Sequence, residues 1–217
     1  MKTTKLGTRS VVFTFELEEW DLNLQLIQGD VYNYLIDTGL GANSVKPILE
    51  YLGNDTKPIV VINTHYHWDH VWGNHCFEDS IIVASEKCRE LTNKNWDEMR
   101  QRCSKYMDGE VKKKLPTLVF CDQLHFVEDD ILLFVTPGHT VDGISVYDGK
   151  DKILNAGDNI GDTMEELIPE ITTSNEIFMD TIQKYQKMDV VSCVSGHNQI
   201  LGNDIFGEIE RLMKQEG

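Results

Sequence analysis

The chain has 217 residues, 41% hydrophobic and 26% charged, which suits one globular domain with a sizeable core. Its 36 acidic residues against 20 basic ones give a formal net charge of −16, which excludes non-specific binding to nucleic acid or to an anionic membrane. No run approaches the ~20 apolar residues of a membrane helix. No apolar signal-peptide core follows Lys2 and Lys5, and the five cysteines are scattered and odd in number, so a protein with reduced thiols in a cytoplasm is expected.

Two stretches of strand character, 11–17 and 23–28, form an antiparallel pair around the turn Glu18-Glu19-Trp20-Asp21. Trp20 at the tip reads as a partly buried anchor of that hairpin, ahead of a wall for a substrate. A third strand, 31–36, ends at Asp37-Thr38-Gly39. A short helix over 44–51 follows, with Ser44 as its N-cap, Pro47 in its first turn and Gly53 closing it.

The apolar, β-branched run 58–62 reads as a buried strand. It leads straight into Thr64-His65-Tyr66-His67-Trp68-Asp69-His70, three histidines and one aspartate within six positions. The motif therefore lies on the loop at a strand's C-terminal end, where open α/β sheets keep their ligand crevices. Imidazole nitrogen and carboxylate oxygen suit zinc, iron, nickel or manganese better than calcium or magnesium. On an irregular loop His65 and His67 can turn inward together, and Asp69 and His70 follow at once. One cation cannot easily use all four and keep an open position for water, so the run points to two metals, which hydrolases hold ~3.5–4 Å apart. The bland alternative is a His-rich solvated loop.

His75 and Cys76 read as bystanders beside a site already supplied, and 81–84 as a strand. The segment 86–114 reads as two helices, with Trp96, Met99, Cys103, Tyr106 and Met107 at near-helical spacing and Lys112-Lys113-Lys114 and Pro116 at its end. The lysine run reads as solvated surface, with attraction of an anionic substrate the lesser reading. Three short strands, 118–121, 124–127 and 131–135, come next, with His125 on a strand surface. Strands 144–147 and 152–154 form a hairpin around Asp148-Gly149-Lys150-Asp151. An amphipathic helix over 175–188, capped by Ser174, turns Ile177, Phe178, Ile182 and Tyr185 to one face. A strand over 190–194 carries Cys193 in the core, and a helix over 204–215 turns Ile205, Ile209 and Leu212 inward.

Three further strands end on a ligand-type side chain: His139 in Thr136-Pro137-Gly138-His139-Thr140, Asp158 in Ala156-Gly157-Asp158, and His197 in Ser195-Gly196-His197. One such unit is weak evidence, because a lone histidine is more often structural. Four strand ends of this kind, counting the run at 65–70, are hard to explain as packing.

The set H-x-H-x-D-H at 65–70, P-G-H-T at 137–140, G-D at 157–158 and G-H at 196–197 resembles the metallo-β-lactamase superfamily, and Leu35-Ile36-Asp37-Thr38-Gly39 matches that superfamily's usual first motif. The resemblance implies an α/β fold, a four-layer αββα sandwich, and one domain with a helical lid insertion at about 86–116. It implies that His65, His67 and His139 hold one metal, that Asp69, His70 and His197 hold a second, and that Asp158 bridges them. Asp37 becomes a buried support and not a ligand. Two divalent ions, zinc first with iron or manganese as alternatives, would lower the pKa of a shared water toward ~7. Asp69 would then orient the nucleophile or pass a proton to the leaving group.

The expected function is hydrolysis of an ester, thioester, lactone or phosphoester bond in a small molecule. β-Lactamases of the superfamily generally lack an aspartate at position 158 and are secreted. Flavodiiron proteins replace the second histidine of the motif by glutamate, and the lactonases place tyrosine where Gly161 stands. Hydroxyacylglutathione hydrolases share the motif set but add a C-terminal helical domain, and only one helix is expected after His197. The alternatives are a mononuclear-iron persulfide dioxygenase using His65, His139 and Asp158, and a non-catalytic metal-binding protein. A homodimer through 86–114 is a further expectation.

Overall fold

A computed structural model describes residues 1–216. Alternating apolar positions build two mixed sheets. The first contains β1 (Lys2–Leu6), β2 (Ser10–Glu16), β3 (Asp21–Gln28), β4 (Asn33–Ile36), β5 (Ile59–Ile62), β6 (Ile81–Ser85) and β7 (Leu118–Phe120). The second contains β8 (Gln123–Phe126), β9 (Ile131–Val135), β10 (Ile144–Asp148), β11 (Ile153–Asn155), β12 (Ser192–Val194) and β13 (Leu201–Gly202). In both sheets chain neighbours are spatial neighbours. Among the described residues five α-helices complete the fold: α1 (Ala42–Leu52), the single turn α2 (Trp68–Val71), α3 (Glu86–Arg102), α4 (Asn175–Gln186) and α5 (Ile205–Glu216).

Successive side chains on a strand point to opposite faces. In β4, Tyr34 and Ile36 face the second sheet while Leu35 faces outward. Ile27, Val60, Ile62 and Val83 join the inner layer and meet Ile131, Leu133, Ile144 and Val146 of the second sheet. The outer face of the first sheet packs Val11, Phe13 and Leu26 with Val45 and Ile48 of α1. The outer face of the second packs Phe134, Leu154 and Cys193 against Phe178, Ile182 and Tyr185 of α4 and Phe206 and Ile209 of α5. This is the four-layer αββα sandwich. Each fully buried aliphatic or aromatic side chain contributes about 1.5–3 kcal/mol to it. No helix of the described residues is long and apolar enough to cross a membrane.

Strand direction places the site. β4, β5, β6 and β7 run parallel, as do β11 and β12, and β9 runs with β11 because both are antiparallel to β10. The segments after β4, β5, β9, β11 and β12 therefore converge at one end of the sandwich. Two backbone bonds stitch the sheets there, Ile144 N–H to Thr64 O (2.8 Å) and Asn23 N–H to Gly196 O (2.7 Å).

Several expectations need correction. Helix α1 begins at Ala42, with Gly41 and not Ser44 at the N-cap. The N–H groups of Ala42 and Asn43 reach the carbonyls of Glu110 and Asp108, so tertiary contacts do the work of a cap, and Ser44 Oγ accepts from Leu40 N–H instead. The segment 86–114 is one helix, not two: α3, capped by Ser85, followed by a 3₁₀ turn over Ser104–Tyr106 and irregular chain. Ile177 is exposed, because the inward stripe of α4 is Phe178, Thr181, Ile182 and Tyr185, and Thr181 Oγ1 donates to Pro137 O (2.6 Å). The run at 65–70 is a loop only as far as His67, after which α2 carries Asp69 and His70.

Candidate metal centre

All seven side chains singled out by the motifs meet at the convergent end. One ligand-type atom from each of His65, His67, His139 and Asp158 lies within 4.8 Å of the others, and the same holds for Asp69, His70 and His197. Asp158 joins the two groups. Its Oδ2 lies 3.2 Å from His197 Nε2, 3.3 Å from His70 Nε2, 3.6 Å from His65 Nε2 and 3.8 Å from His139 Nε2. Asp69 Oδ2 is 3.3 Å from His197 Nε2 and 3.5 Å from His70 Nε2.

The far side of each ring decides which nitrogen faces inward. His139 Nδ1–H donates to Glu170 O (2.7 Å) and His197 Nδ1–H to Asp21 O (2.8 Å). His70 Nδ1 bonds Asp37 Oδ2 (2.8 Å), and His65 Nδ1 stands 3.1 Å from Thr64 Oγ1. Each of these rings is left with Nε2 toward the centre. His67 turns the other way, with Nδ1 3.1 Å from His139 Nε2. Asp37 also accepts from Thr64 N–H (2.8 Å) and Thr64 Oγ1 (2.7 Å), so it braces two parts of the loop at once. Asn159, which the sequence did not single out, receives His139 N–H on Oδ1 (2.9 Å) and donates to Thr136 O (2.8 Å).

Burial pushes the His65 imidazole well below its ordinary value, with His70 adding to the effect, and burial with His139 brings His67 down to about 4. Burial opposes ionisation of Asp69 and Asp158, yet the imidazoles around them hold both carboxyls well below the usual range. Burial also opposes charge on His70 and His197, but Asp158 and Asp69 hold both well above theirs. Opposed charges thus compensate each other inside a largely buried cluster.

The residues fit a metal. The cluster is a set of imidazole and carboxylate donors, the chemistry of first-row transition ions. Ligands ~2.0–2.2 Å from a tetrahedral zinc stand roughly 3.3–3.6 Å apart, close to the spacings above. His65 Nε2, His70 Nε2 and Asp158 Oδ1 are buried without a hydrogen-bond partner among the described residues. Each costs about 1–3 kcal/mol unless something satisfies it, and a cation does so while displacing protons from the imidazoles. Gly196 makes the room: a Cβ there would collide with the Asp158 carboxylate and come 2.9 Å from the His70 ring.

A sequence model of the metallo-β-lactamase superfamily matches residues 23–197. The chain belongs to this superfamily. It is similar to an acyl-coenzyme A thioesterase, MBLAC2, of Gallus gallus, with 23% identity over 176 residues, 71% of this chain and 64% of that protein. It is also similar to a β-lactamase-like protein 2 homolog of Caenorhabditis elegans, with 26% identity over 206 residues, 89% of this chain and 62% of that one. It spans less than two thirds of the length of both curated relatives. Among solved structures, a metallo-β-lactamase from Pontibacter korlensis superposes with a TM-score of 0.78 at 21% identity, covering 98% of each chain. The DIM-1 metallo-β-lactamase exposed to ceftazidime gives 0.80 at 15% identity, covering 100% of this chain and 97% of that one. At such identities the likeness is one of fold.

In this member of the superfamily an aromatic wall flanks the centre. The Trp20 ring meets His197 edge-on at 5.0 Å and Trp68 at 5.9 Å, and Trp68 stacks on Tyr106 at 5.0 Å and 20°. Trp20 is thus the partly buried anchor of its hairpin, with its ring edge-on to His197. On the other side of Trp68, beside His67, lies a cleft of about 510 Å³ whose lining includes Tyr66, Met99, Arg102, Cys103 and Glu170. His75 and Cys76 stand outside the centre, with His75 Nδ1 3.1 Å from Trp72 O. Lys112, Lys113 and Lys114 turn to Glu110, Asn93 O and Glu78 O on their own chain.

Proposed function

We propose that the chain is a metal-dependent hydrolase with a two-metal centre, in which His65, His67 and His139 would hold one ion, Asp69, His70 and His197 would hold the other, and Asp158 would serve both. The observation that carries this reading is the position of Asp158 Oδ2, 3.2–3.8 Å from four imidazole nitrogens drawn from both groups. Zinc is the first candidate. Bound there, such ions supply Lewis acidity, which acidifies water and polarises a scissile carbonyl or phosphoryl group.

The chain's own residues do the rest. Asp37, Glu170 O and Asp21 O hold three imidazoles so that Nε2 faces the reacting atoms. Asp69, with its side chain only 10% exposed, orients the attacking water or carries a proton to the leaving group. The wall of Trp20, Trp68 and Tyr106 screens one side from bulk solvent, and the cleft beside His67 receives one arm of the substrate.

The substrate is a small molecule with an ester, thioester, lactone or phosphoester bond. Thioesters lead, because relatives named acyl-coenzyme A thioesterase share 23–24% identity with this chain. The test is hydrolysis of a panel of acyl thioesters, esters, lactones and phosphodiesters by metal-loaded protein, with Asp158→Ala as control. Turnover that needs both the metal and Asp158 supports the reading. A panel left intact by fully loaded protein sinks it. A second reading, a mononuclear-iron dioxygenase, draws on the grouping of His65, His139 and Asp158 in one cluster. Oxygen uptake with a persulfide substrate by protein holding one iron decides for it.

A further inference from the structure

The aromatic wall has a second side. Away from His197, Trp20 and Tyr106 line a groove of about 350 Å³ together with Glu18, Glu19, Asp108 and Lys105. We propose that this groove is a subsite for an organic cation, an alkylammonium group carried by the substrate, held on the faces of Trp20 and Tyr106 and by the carboxylates of Glu18, Glu19 and Asp108. The assignment of the ligand as a substrate rests on the hydrolase reading above.

Three observations carry it. First, the lining holds three carboxylates against one ammonium, in a chain of net charge −16. An anionic group entering here meets like charge, while a cation is drawn in. Second, the flat faces of tryptophan and tyrosine are negative and attract cations within about 6 Å. Third, the chain already shows the preference on itself. Trp68 stacks on one face of Tyr106, and Lys105 Nζ stands over the ring 4.4 Å from its centroid. The phenol hydroxyl donates to Glu19 Oε2 (3.2 Å), which adds a carboxylate beside that ammonium. Lys105 is exposed, so its side chain is free to leave and give its place to a ligand's ammonium. The Trp20 ring also touches His197, at 5.0 Å, so the groove stands one indole ring away from the metal centre.

The polyanionic nucleotide arm of a coenzyme A thioester does not suit this groove. The chemistry fits an acyl compound with an aminoalkyl or trimethylammonium-alkyl arm.

The test reads binding and not turnover, so it stands apart from the fate of the hydrolase reading. Metal-loaded protein with 15N-labelled tryptophan is titrated with butyltrimethylammonium and, separately, with butanesulfonate, following the indole N–H resonances. The expected result is saturable movement of the Trp20 resonance with the cation only. Lys105→Ala, at an exposed position, should tighten the cation about 2- to 5-fold by removing its internal rival, and Glu19→Gln should weaken it by a similar factor, the range of one exposed cation–π or ion contact. Stronger binding of the sulfonate, lost in Lys105→Ala, would overturn the proposal and make Lys105 an anchor for anions. So would the absence of saturable binding by either probe.

Discussion

Asp37 Oδ2 lies 2.8 Å from His70 Nδ1, and both side chains are buried, at 3% and 0% exposure. Asp37 sits at φ 61°, a left-handed conformation that aspartate and asparagine tolerate better than other side chains. Asp37→Asn should therefore keep the fold while weakening the brace on His70 and Thr64. Outer partners of metal-bound histidine are worth ~10- to 100-fold in metal affinity. Metal titration against a competing chelator should show a loss of that size with an unchanged circular dichroism spectrum. An affinity equal to the parent's would mean that Asp37 supports the chain and not the metal.

Gly196 carries a different prediction. Alanine there places a methyl group against the Asp158 carboxylate and the His70 ring. Gly196→Ala should cost at least ~10-fold in metal affinity by moving Asp158, an effect as large as losing an outer partner. Full metal loading with parental affinity would show that the Asp158 side chain has room to shift at no cost to the centre.

Asp142 gives the pH dependence. It is wholly buried, and burial pushes its carboxyl up to about 6, against the pull of Thr140 and neighbouring groups. Below the ordinary value of 3.8, folded and unfolded chains both hold the proton and Asp142 has no effect on stability. Between there and about 6 only the folded chain holds it, so stability falls as pH rises, and above about 6 the full cost remains. That gap corresponds to about 3 kcal/mol. Asp142→Asn should melt several degrees above the parent at pH 7.5 and converge with it near pH 4. A difference that does not change with pH would contradict this.

Removing the metal should destabilise as well as inactivate. A ligand roughly 1,000-fold above its Kd stabilises by about 4 kcal/mol, and 1 kcal/mol is worth ~2–4 °C in a chain of this size. Scanning calorimetry with and without chelator should show a fall of roughly 10 °C, reversed by added metal. Identical melting curves would mean that no metal supports the fold.

The metal-ligand candidates were legible because ligation restricts residue type and spacing: His65, His67, Asp69 and His70 announce themselves, and His139, Asp158 and His197 each end a strand. The layers were legible from alternation, as in Tyr34, Leu35 and Ile36. What holds the rings was hidden. The carbonyls of Asp21 and Glu170 that orient His197 and His139 belong to the backbone, and any side chain could stand there. The start of α1 was hidden for a related reason, since its first N–H groups are satisfied by Asp108 and Glu110, far along the chain. The meeting of Trp20 with Tyr106 joins the first hairpin to the turn after α3, and no local pattern reports such a contact. Asp129 is a similar case. It reads as one more acid in a turn, yet it accepts the N–H groups of Asp30, Val31 and Tyr32 and the Tyr34 hydroxyl.

The most direct test of the central claim is metal content per chain, measured by elemental analysis on protein purified without added metal or chelator, beside Asp158→Ala. About two divalent transition-metal ions per chain are expected, with a clear deficit in the variant. One iron per chain would contradict the two-metal centre and favour the dioxygenase. No transition metal, in folded protein that takes none up on reconstitution, would contradict both enzyme readings.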